Sequence, residues 1–310
     1  MKFPKVAVVI PAYNEEKDIK DLLDSLMRVN YPKKKFNIIV VDDGSTDNTS
    51  KIISKYPIKV IKGKHEGASV ARNLGWKSTK SDIVIFLDAD MVVHKNFIKE
   101  LIKPLENKDV GGVYFLESFF RKKSLIAKLS FMRKVLINLQ KSIIAKAIRK
   151  KTLIELNGLI PRYGYYDDWE LAMRIKNTGY KIVNAPKALI WHKEPETFYE
   201  LYKQYRWAGQ SMLSLTKYKG RMIRSFGFIL LGFSLPFYLL FIFLPYPFWV
   251  IGEFGLSLFL IIEVFRSFKM FLITKQKESF LTPFFDFLTS LFICVGIIKG
   301  LTKIKSRPKI

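Results

Sequence analysis

Short apolar runs alternate with amphipathic segments through the first 116 residues of the chain. Five mainly apolar runs predict strands, at 6–10, 37–41, 58–61, 83–87 and 110–116. Apolar residues at helical spacing predict three helices, over 15–29, 69–77 and 96–105, with a short helix after residue 47. Asn14 is placed to cap the first of these helices. The alternating order predicts an α/β fold with a mainly parallel sheet and helices on both faces.

Polar residues gather where two of these strands are expected to end. The run at 37–41 is followed by Asp42 and Asp43, and the run at 83–87 by Asp88 and Asp90. Ligands bind α/β sheets at the carboxyl ends of parallel strands. On an extended backbone Asp88 and Asp90 would point the same way, and paired carboxylates suit a hard divalent cation that also holds phosphates. The alternative is a solvated turn after a buried strand.

Residues 118–152 form a basic segment with eleven Lys or Arg and no Asp or Glu. Apolar residues at roughly helical spacing predict an amphipathic helix over 118–140, followed by an extended piece at 143–148. Such a helix can lie on a membrane surface with its cations at lipid head groups. The alternative is a helix on a soluble core with a solvated basic face.

Further helices and a strand are predicted beyond this segment. A helix over 165–180 has an acidic start and ends at Gly179. A strand follows at 181–183, and an aromatic-rich helix covers 197–215. These elements complete an expected first domain, which spans residues 1–217.

Three long apolar stretches lie in the remaining residues, 218–310, and predict a helical membrane region. The stretch at 226–244 contains no charge and is long enough to cross a bilayer. A second span is predicted near 248–265, which contains two acids, and the third stretch, 280–298, contains Asp286. The third stretch either spans the membrane or lies in its cytoplasmic interface. The interfacial arrangement keeps the basic loop at 266–277 and the basic tail at 299–309 on the cytoplasmic side, which agrees with the positive-inside rule.

Composition changes this picture through charge and cysteine content. The chain of 310 residues has a net charge of +25, of which +20 lies in the first 225 residues. Such an excess indicates an anionic partner, namely nucleic acid, an anionic membrane surface or phosphorylated substrates. The cations cluster beside apolar helical positions and at span ends, with no nucleic-acid-binding motif, so we expect no nucleic-acid partner. The single Cys294 excludes disulfides within the chain and Cys-rich metal sites.

The first apolar run also bears on localisation. It is too short for the apolar region of a signal peptide. We therefore expect a multi-pass protein of the cell membrane whose first domain is cytoplasmic.

Four sequence blocks resemble those of family 2 glycosyltransferases. They are VIPAYNE at 9–15, VDDGSTD at 41–47, GASVARNLG at 67–75 and LDAD at 87–90. The resemblance covers roughly residues 5–215, with the blocks in the family's order and spacing. It implies the Rossmann-like GT-A fold, a nucleotide-sugar donor such as a UDP- or GDP-sugar, and an inverting transfer.

The resemblance also implies a donor site. Residues matching Pro11, Tyr13 and Glu15 line the nucleoside pocket, with the aromatic ring beside the base. The residue matching Asp43 contacts the base, and Arg72 lies nearby. Simpler roles are open for these residues: the tyrosine could pack under the following helix, the aspartate could cap a turn, and the arginine could be a surface cation.

A metal site follows from the same resemblance. Asp88 and Asp90 match the family's Asp-x-Asp, which meets the ribose and the metal that bridges the diphosphate. Mg²⁺ or Mn²⁺ is the expected ion, because it takes one or two carboxylates plus phosphate oxygens. His192 falls where many relatives place a His near the metal and the diphosphate, and a neutral imidazole can complete a metal shell. The alternative is a surface or core histidine that binds no metal.

The resemblance also implies an acceptor side of the site, formed by residues later in the chain. Asp168 matches the family's catalytic base, which deprotonates an acceptor hydroxyl, with Asp167 replacing the usual Glu. The alternative for Asp168 is capping of a helix N-terminus. Arg206 and Trp207 resemble the last two residues of the Gln-x-x-Arg-Trp motif of processive relatives. The resemblance places them on the acceptor or membrane side of the site. Lys203 occupies the first position of that motif, which favours transfer of a single sugar.

These observations predict a membrane-anchored inverting glycosyltransferase that moves one sugar to a lipid-linked or polyprenyl-phosphate acceptor. A polyprenyl phosphate is already anionic, so Asp168 would then orient it; a sugar hydroxyl on a lipid needs a base. One alternative is a glycosyltransferase that extends a cell-surface polysaccharide. Another is a non-catalytic membrane binding protein that retains the fold.

Overall fold

The computed structural model describes residues 3–115, 118–119, 124–139, 145–218 and 248–305. The chain forms two compact units: the first contains Met1–Phe120 and Lys141–Lys193, and the second contains Arg121–Gln140 and Glu194–Ile310. The predicted span at 226–244 lies outside the described residues. The division into a catalytic domain, 1–217, and a membrane region, 218–310, stays a prediction.

A seven-stranded sheet forms the centre of the first unit. Its strands, in spatial order, are β3 (Lys59–Lys62), β2 (Phe36–Asp42), β1 (Val6–Ala12), β4 (Ile83–Phe86), β8 (Ala147–Arg149), β6 (Val110–Tyr114) and β9 (Lys181–Asn184). β3, β2, β1 and β4 run parallel to one another, and β6 runs parallel to β9. The mainly parallel sheet is therefore confirmed.

Strand β8 lies between β4 and β6 and runs antiparallel to both. The extended piece predicted at 143–148 overlaps it in part, but the sequence did not predict this pairing. Lys146, the residue before β8, forms backbone hydrogen bonds with residues of both neighbouring strands, β4 and β6. The Phe86 N–H donates to the Lys146 carbonyl at 2.8 Å, and the Lys146 N–H donates to the Val113 carbonyl at 2.9 Å.

A second sheet of three short strands completes the first unit. It contains β5 (Met91–Val93), β10 (Ile190–His192) and β7 (Ser118–Phe119). β10 pairs antiparallel with β5, so that His192 lies opposite Met91. This pairing brings residue 192 beside the turn that follows β4, although about a hundred residues separate them in sequence.

Helices pack on both faces of the main sheet. They are α1 (Ile19–Met27), α2 (Thr49–Ile53), α3 (Ala68–Lys77), α4 (Phe97–Ile102), α6 (Lys150–Glu155) and α7 (Asp167–Asn177). Alternate residues of β1 point to opposite faces. Val8 belongs to a buried cluster with Leu22 and Phe97, whereas Val9 belongs to one with Ala71 and Leu171. The predicted coverage of both faces is confirmed.

The start of the first helix was predicted wrongly. α1 begins at Ile19, and its N-cap is Asp18 rather than Asn14. Asn14 has a φ of 57°, and its Oδ1 accepts a hydrogen bond from the Thr46 N–H at 2.8 Å. The loop after β1 is thus bound to the loop after β2 before any helix begins.

Four helices form the described part of the second unit: α5 (Leu125–Leu139), α8 (Phe198–Met212), α9 (Phe248–Thr274) and α10 (Thr282–Lys305). α9 continues past the predicted end at residue 265, so Arg266 belongs to a helix and not to a basic loop. Arg266 contacts Glu263 and lies 2.8 Å from Asp286. By length and composition, one segment of the described helices, Lys277–Leu301, could cross a membrane.

Candidate active site

Two loops that hold each other in place form one side of the candidate site. They follow β1 and β2, which are neighbours in the sheet. The Asn14 N–H donates to the Ser45 hydroxyl at 3.1 Å, and the Glu15 N–H donates to the Thr49 hydroxyl at 2.8 Å. Pro11 precedes these loops and lies opposite Val41 in the strand register. The first two sequence blocks therefore form one surface.

The carboxylates of Asp42, the last residue of β2, and of Asp43, the residue after it, accept hydrogen bonds from backbone groups. Asp43 is buried, and its oxygens accept from the Glu66 N–H at 3.1 Å and the Gly67 N–H at 2.7 Å. Asp42 accepts from the Ser45 N–H at 3.0 Å. Gly67 has a φ of 97°, which only glycine adopts without strain. Asp43 thus fixes the turn that leads into α3, and its contact with a base stays a prediction.

Tyr13 presents its ring at the edge of this surface. The residue is 40% exposed, so it does not pack beneath α1. Its ring centroid lies 4.1 Å from that of His65, with a 38° angle between the planes. His65 was not predicted as a site residue, because it stands in a polar segment outside the four sequence blocks.

A buried group of ion pairs extends from α3 towards β4 and α7. Arg72 lies 2.9 Å from Asp167 and 2.6 Å from Asp88. The Ser69 hydroxyl donates to Asp167 at 2.6 Å. Burial alone lowers the pKa of Arg72, but the carboxylates of Asp167 and Asp88 raise it above its ordinary value, so the guanidinium is charged. The surface-cation alternative for Arg72 is wrong, because the side chain is only 8% exposed.

Lys146 continues this network to the candidate base. Its Nζ lies 3.3 Å from Asp88 Oδ2 and 3.2 Å from Asp168 Oδ2. Burial alone raises the pKa of Asp88, but Lys146 and Arg72 hold it well below its usual range. Asp88 is therefore ionised and paired. No signal distinguished Lys146 from the ten other cations of the basic segment.

Asp90 contacts His192 rather than the partners of Asp88. His192 Nε2 lies 3.1 Å from both carboxylate oxygens of Asp90. Asp88 follows the end of β4, and Asp90 lies in a turn. The expectation that Asp88 and Asp90 extend a strand and face one way is therefore wrong. The two carboxylates occupy adjacent but different environments.

Glu15 is a partly buried acid close to several others. Burial first, and then the nearby carboxylates of Asp90, Asp18 and Asp88, raise the pKa of Glu15 to about 8. Glu15 therefore carries a proton at neutral pH. Burial is the larger cause of the raised pKa, and the smaller one is a local group of carboxylates whose charge a cation would offset.

The donor set around Asp90 fits a divalent cation with few protein ligands. A carboxylate and an imidazole already lie within 3.1 Å of each other, and Asp88 lies two residues away. Across the described ranges no three His, Cys, Asp or Glu side chains converge in a metal-binding group. An ion held here would therefore take its other ligands from phosphate and water, which is the usual habit of Mg²⁺.

Asp168 stands at the start of α7, as predicted for a residue at a helix N-terminus. Its Oδ1 accepts from the Trp169 N–H at 2.7 Å, and its Oδ2 pairs with Lys146. The side chain is 21% exposed. The carboxylate is thus both held by the protein and accessible to a small group.

Arg206 and Trp207 lie on α8 in the second unit. The Arg206 guanidinium carbon lies 5.5 Å from the centroid of the Tyr202 ring. Trp207 is 42% exposed. Their assignment to the acceptor or membrane side stays a prediction.

Two family models match this chain. The model described as Glycosyl transferase family group 2 matches residues 83–274, which is more than half of the chain. The model described as Glycosyl transferase family 2 matches residues 7–157. The chain belongs to the family 2 glycosyltransferases. The predicted enzyme class is confirmed.

This glycosyltransferase is similar to several known proteins, and the alignments cover different shares of their lengths. It is 27% identical to the probable glycosyltransferase YdaM of Bacillus subtilis, over 96% of this chain and 76% of that protein. It is 28% identical to the poly-beta-1,6-N-acetyl-D-glucosamine synthase of Staphylococcus aureus, over 66% of this chain and only 53% of the synthase. A match at 36% identity to TarS of Staphylococcus aureus covers 31% of this chain and 18% of TarS.

Solved structures share the fold at low sequence identity. The mannosyltransferase PcManGT from Pyrobaculum calidifontis, in complex with GDP-Man and Mn²⁺, matches with a TM-score of 0.65 and 17% identity, over 98% of this chain and 88% of that one. Residues 1–349 of TarS from S. aureus, in complex with UDP-GlcNAc, match with a TM-score of 0.52 and 18% identity, over 99% and 93%. The predicted GT-A fold is confirmed.

Proposed function

We propose that this glycosyltransferase moves one sugar, with inversion, from a nucleotide-sugar donor to a lipid-linked or polyprenyl-phosphate acceptor at the cytoplasmic face of the membrane. The ion-pair network that joins Asp88 to Asp168 is the observation that carries the proposal. Through Lys146 it joins Asp88 and Asp168, the carboxylates to which the family resemblance assigns roles on the donor side and on the acceptor side. Structural neighbours bound to GDP-Man and UDP-GlcNAc support a nucleotide-sugar donor.

On the donor side, the exposed Tyr13 ring stacks against the base, and Pro11 and Glu15 complete the nucleoside pocket. Asp43 supports this pocket through the backbone it binds, and one of its oxygens can still accept from a base N–H. Asp88, oriented by Arg72 and Lys146, accepts from the ribose. Either UDP- or GDP-sugars are compatible with these groups.

Asp90 and His192 would hold the divalent cation, with Asp88 beside it. Mn²⁺ in the PcManGT complex supports such an ion, and the raised pKa of Glu15 is consistent with a place for positive charge. When bound, the ion neutralises charge on the departing nucleoside diphosphate. Asp90 and His192 contribute a ready-made pair of ligands.

On the acceptor side, Asp168 has two roles that depend on the acceptor. For a sugar hydroxyl on a lipid carrier, Asp168 accepts the proton as the C–O bond forms and the donor's bond to the diphosphate breaks. For a polyprenyl phosphate, the attacking oxygen is already anionic, and Asp168 only orients the acceptor.

Membrane attachment through the second unit is supported by apolar exposure. Phe254 and Phe265 of α9 are 72% and 71% exposed, and Phe284 and Ile298 of α10 are each 63% exposed. Exposed apolar surface on this scale indicates contact with lipid or protein. We propose spans near 226–244 and 248–265, with the segment 280–298 spanning or interfacial.

Extension of a cell-surface polysaccharide is the second candidate function. It is favoured by the 28% identity to a poly-beta-1,6-N-acetyl-D-glucosamine synthase. Lys203 in place of the processive motif's Gln opposes it. Size analysis of the product distinguishes the two, because a single transfer gives one added sugar and polymerisation gives a ladder.

The test of the proposed function uses the full chain with MnCl₂, a membrane lipid extract, and UDP-GlcNAc and GDP-mannose among a panel of radiolabelled nucleotide sugars. Wild type is expected to label lipid from at least one donor. Asp90→Ala is expected to lower the rate by about 100-fold or more, because charge stabilisation at the leaving group is lost. Asp24→Ala, which removes the ion pair with Lys20 and the hydrogen bond from the Tyr56 hydroxyl, is the control and keeps the rate.

Undiminished transfer by Asp90→Ala contradicts the metal assignment. Absence of transfer by wild type from every donor contradicts the proposed function itself.

A further inference from the structure

Lys146 is a buried cation whose backbone is fixed by two strands. Hydrogen bonds at 2.8 and 2.9 Å join its carbonyl and N–H to Phe86 and Val113. Its side chain is 8% exposed. The ammonium group therefore extends from a fixed point of the main sheet and is shielded from bulk water.

This ammonium contacts two carboxylates to which the proposed function gives different roles. Nζ lies 3.3 Å from Asp88, on the donor side, and 3.2 Å from Asp168, on the acceptor side. Asp88 has a second cation, because Arg72 lies 2.6 Å from its other oxygen. Among the residues that the structure describes, Lys146 is the cation that pairs with Asp168. Loss of Lys146 would therefore affect Asp168 more than Asp88.

Two contacts with residues that the structure describes hold the Asp168 carboxylate. Oδ1 accepts from the Trp169 N–H at 2.7 Å, and Oδ2 pairs with Lys146. The first contact lies within the same helical turn and allows rotation of the carboxylate about it. The second contact comes from Lys146, which directly precedes β8, and fixes the remaining oxygen. A small misplacement of a reacting group lowers a rate strongly.

We propose that Lys146 is a positioning residue for sugar transfer, which holds the Asp168 carboxylate in a fixed orientation beside the donor residue Asp88. The inference rests on the proposed function, because that function makes Asp168 the acceptor-side group. Lys146 acts through Asp168 and not on the sugar. The competing role is purely structural: Lys146 would then only neutralise buried carboxylates.

The test compares Lys146→Met and Lys146→Arg with wild type in the full chain, with the donor that wild type uses, MnCl₂ and membrane lipid extract. For Lys146→Met, kcat is expected to fall about 10- to 100-fold, which is part of the 10²–10⁴-fold that a general base contributes. The donor KM should change less than about threefold, because Arg72 still pairs with Asp88 and positions the donor. Lys146→Arg should recover part of kcat, because a guanidinium can also bridge two carboxylates.

Arg174→Met is the matched control for loss of a largely buried ion pair. Arg174 lies 2.9 Å from Glu170 on the same helix, α7, outside the network of Asp168. This variant should lower the Tm, as Lys146→Met does, and keep kcat within about twofold, since no contact of Asp168 is removed.

A background variant identifies the group through which Lys146 acts. In Asp168→Asn, the further change Lys146→Met should lower the residual kcat by less than about twofold, because the positioned group is already lost. Should Lys146→Met not fold, Lys146→Gln replaces it throughout, with the same expected results.

Three results overturn the inference: an unchanged kcat in Lys146→Met, an equal loss of kcat in Arg174→Met at equal loss of Tm, or a full additional loss in the Asp168→Asn background. Each is read in a preparation whose wild type is active, so it contradicts the role of Lys146 alone. An inactive wild type contradicts the proposed function, and the inference with it.

Discussion

Glu15 shows how the site's charge changes a single residue. Its ordinary pKa of 4.5 is raised to about 8, by burial first and then by the surrounding carboxylates. Between these values the folded chain binds a proton at Glu15 that the unfolded chain has released. Stability from this group is therefore complete below pH 4.5 and declines as the pH rises towards 8.

Glu15→Gln should remove this pH dependence, because the amide stays neutral at every pH. Relative to wild type, the variant should gain thermal stability between pH 5.5 and pH 8.5, measured as the difference in Tm without added metal. Glu155→Gln is the control, because its carboxylate lies 3.7 Å from Lys151 in an exposed pair. A Tm difference between Glu15→Gln and wild type that stays constant over this pH range contradicts the shifted pKa.

For single residues, the sequence blocks identified the carboxylates of the candidate site but not the residues that they contact. Asp88 and Asp90 were recognised from a four-residue block. Their contacts with Lys146 and His192 depend on residues 58 and 102 positions away. Such contacts are set by strand pairing, which local pattern does not specify.

Among the elements, the longer apolar or amphipathic segments were predicted, and some strands of two or three residues were not. β1 was expected from a continuous apolar run over 6–10, and α8 from an aromatic-rich segment over 197–215. β5 and β10 have three residues each, which is too short for a period to be read. Their pairing with neighbours is what makes them strands.

The crossing of α8 and α10 depends on glycines that bring two backbones together. A Cβ at Gly296 would meet the Arg206 carbonyl, and a Cβ at Gly209 would meet the Ile293 carbonyl. Backbone atoms cannot rotate away as side chains do. Small residues at such positions allow close helix packing.

Gly296→Val should destabilise the second unit by about 1–3 kcal/mol, because overpacking forces the backbones apart. The measurement is thermal unfolding in detergent, followed by circular dichroism. Val295→Leu is the matched control, since Val295 is 37% exposed on the same helix. A Gly296→Val midpoint equal to that of the control would show that this crossing tolerates a side chain.

For the whole molecule, the paired charges in the second unit change the argument about topology. In the sequence, the charges of Glu263 and Asp286 argued against membrane spans at 248–265 and 280–298. In the structure both contact Arg266, so their charges are largely offset within the protein. The basic residues from 299 onward remain the strongest guide to the side on which the C-terminal tail lies.

Two spans with an interfacial third segment place Lys309 on the cytoplasmic side. In a chain with Cys294→Ser and Lys309→Cys, a membrane-impermeant thiol reagent should label the tail in inverted vesicles and not in intact cells. Labelling from outside intact cells contradicts this layout and favours three spans. A cysteine at Lys64, in the first unit, is the control and should be labelled only from the cytoplasmic side.

The sequence by itself determined the family, the order of the main strands and helices, and the carboxylates of the candidate site. These follow from local patterns, because burial of apolar runs and the chemistry of loop residues act over a few positions. Only the tertiary structure decided that Asp88 faces Arg72 and Lys146 while Asp90 faces His192, and that Glu15 holds a proton. Those outcomes depend on which distant strands pair and how many charges they bring together, and distance in space, rather than in sequence, sets the strength of those interactions.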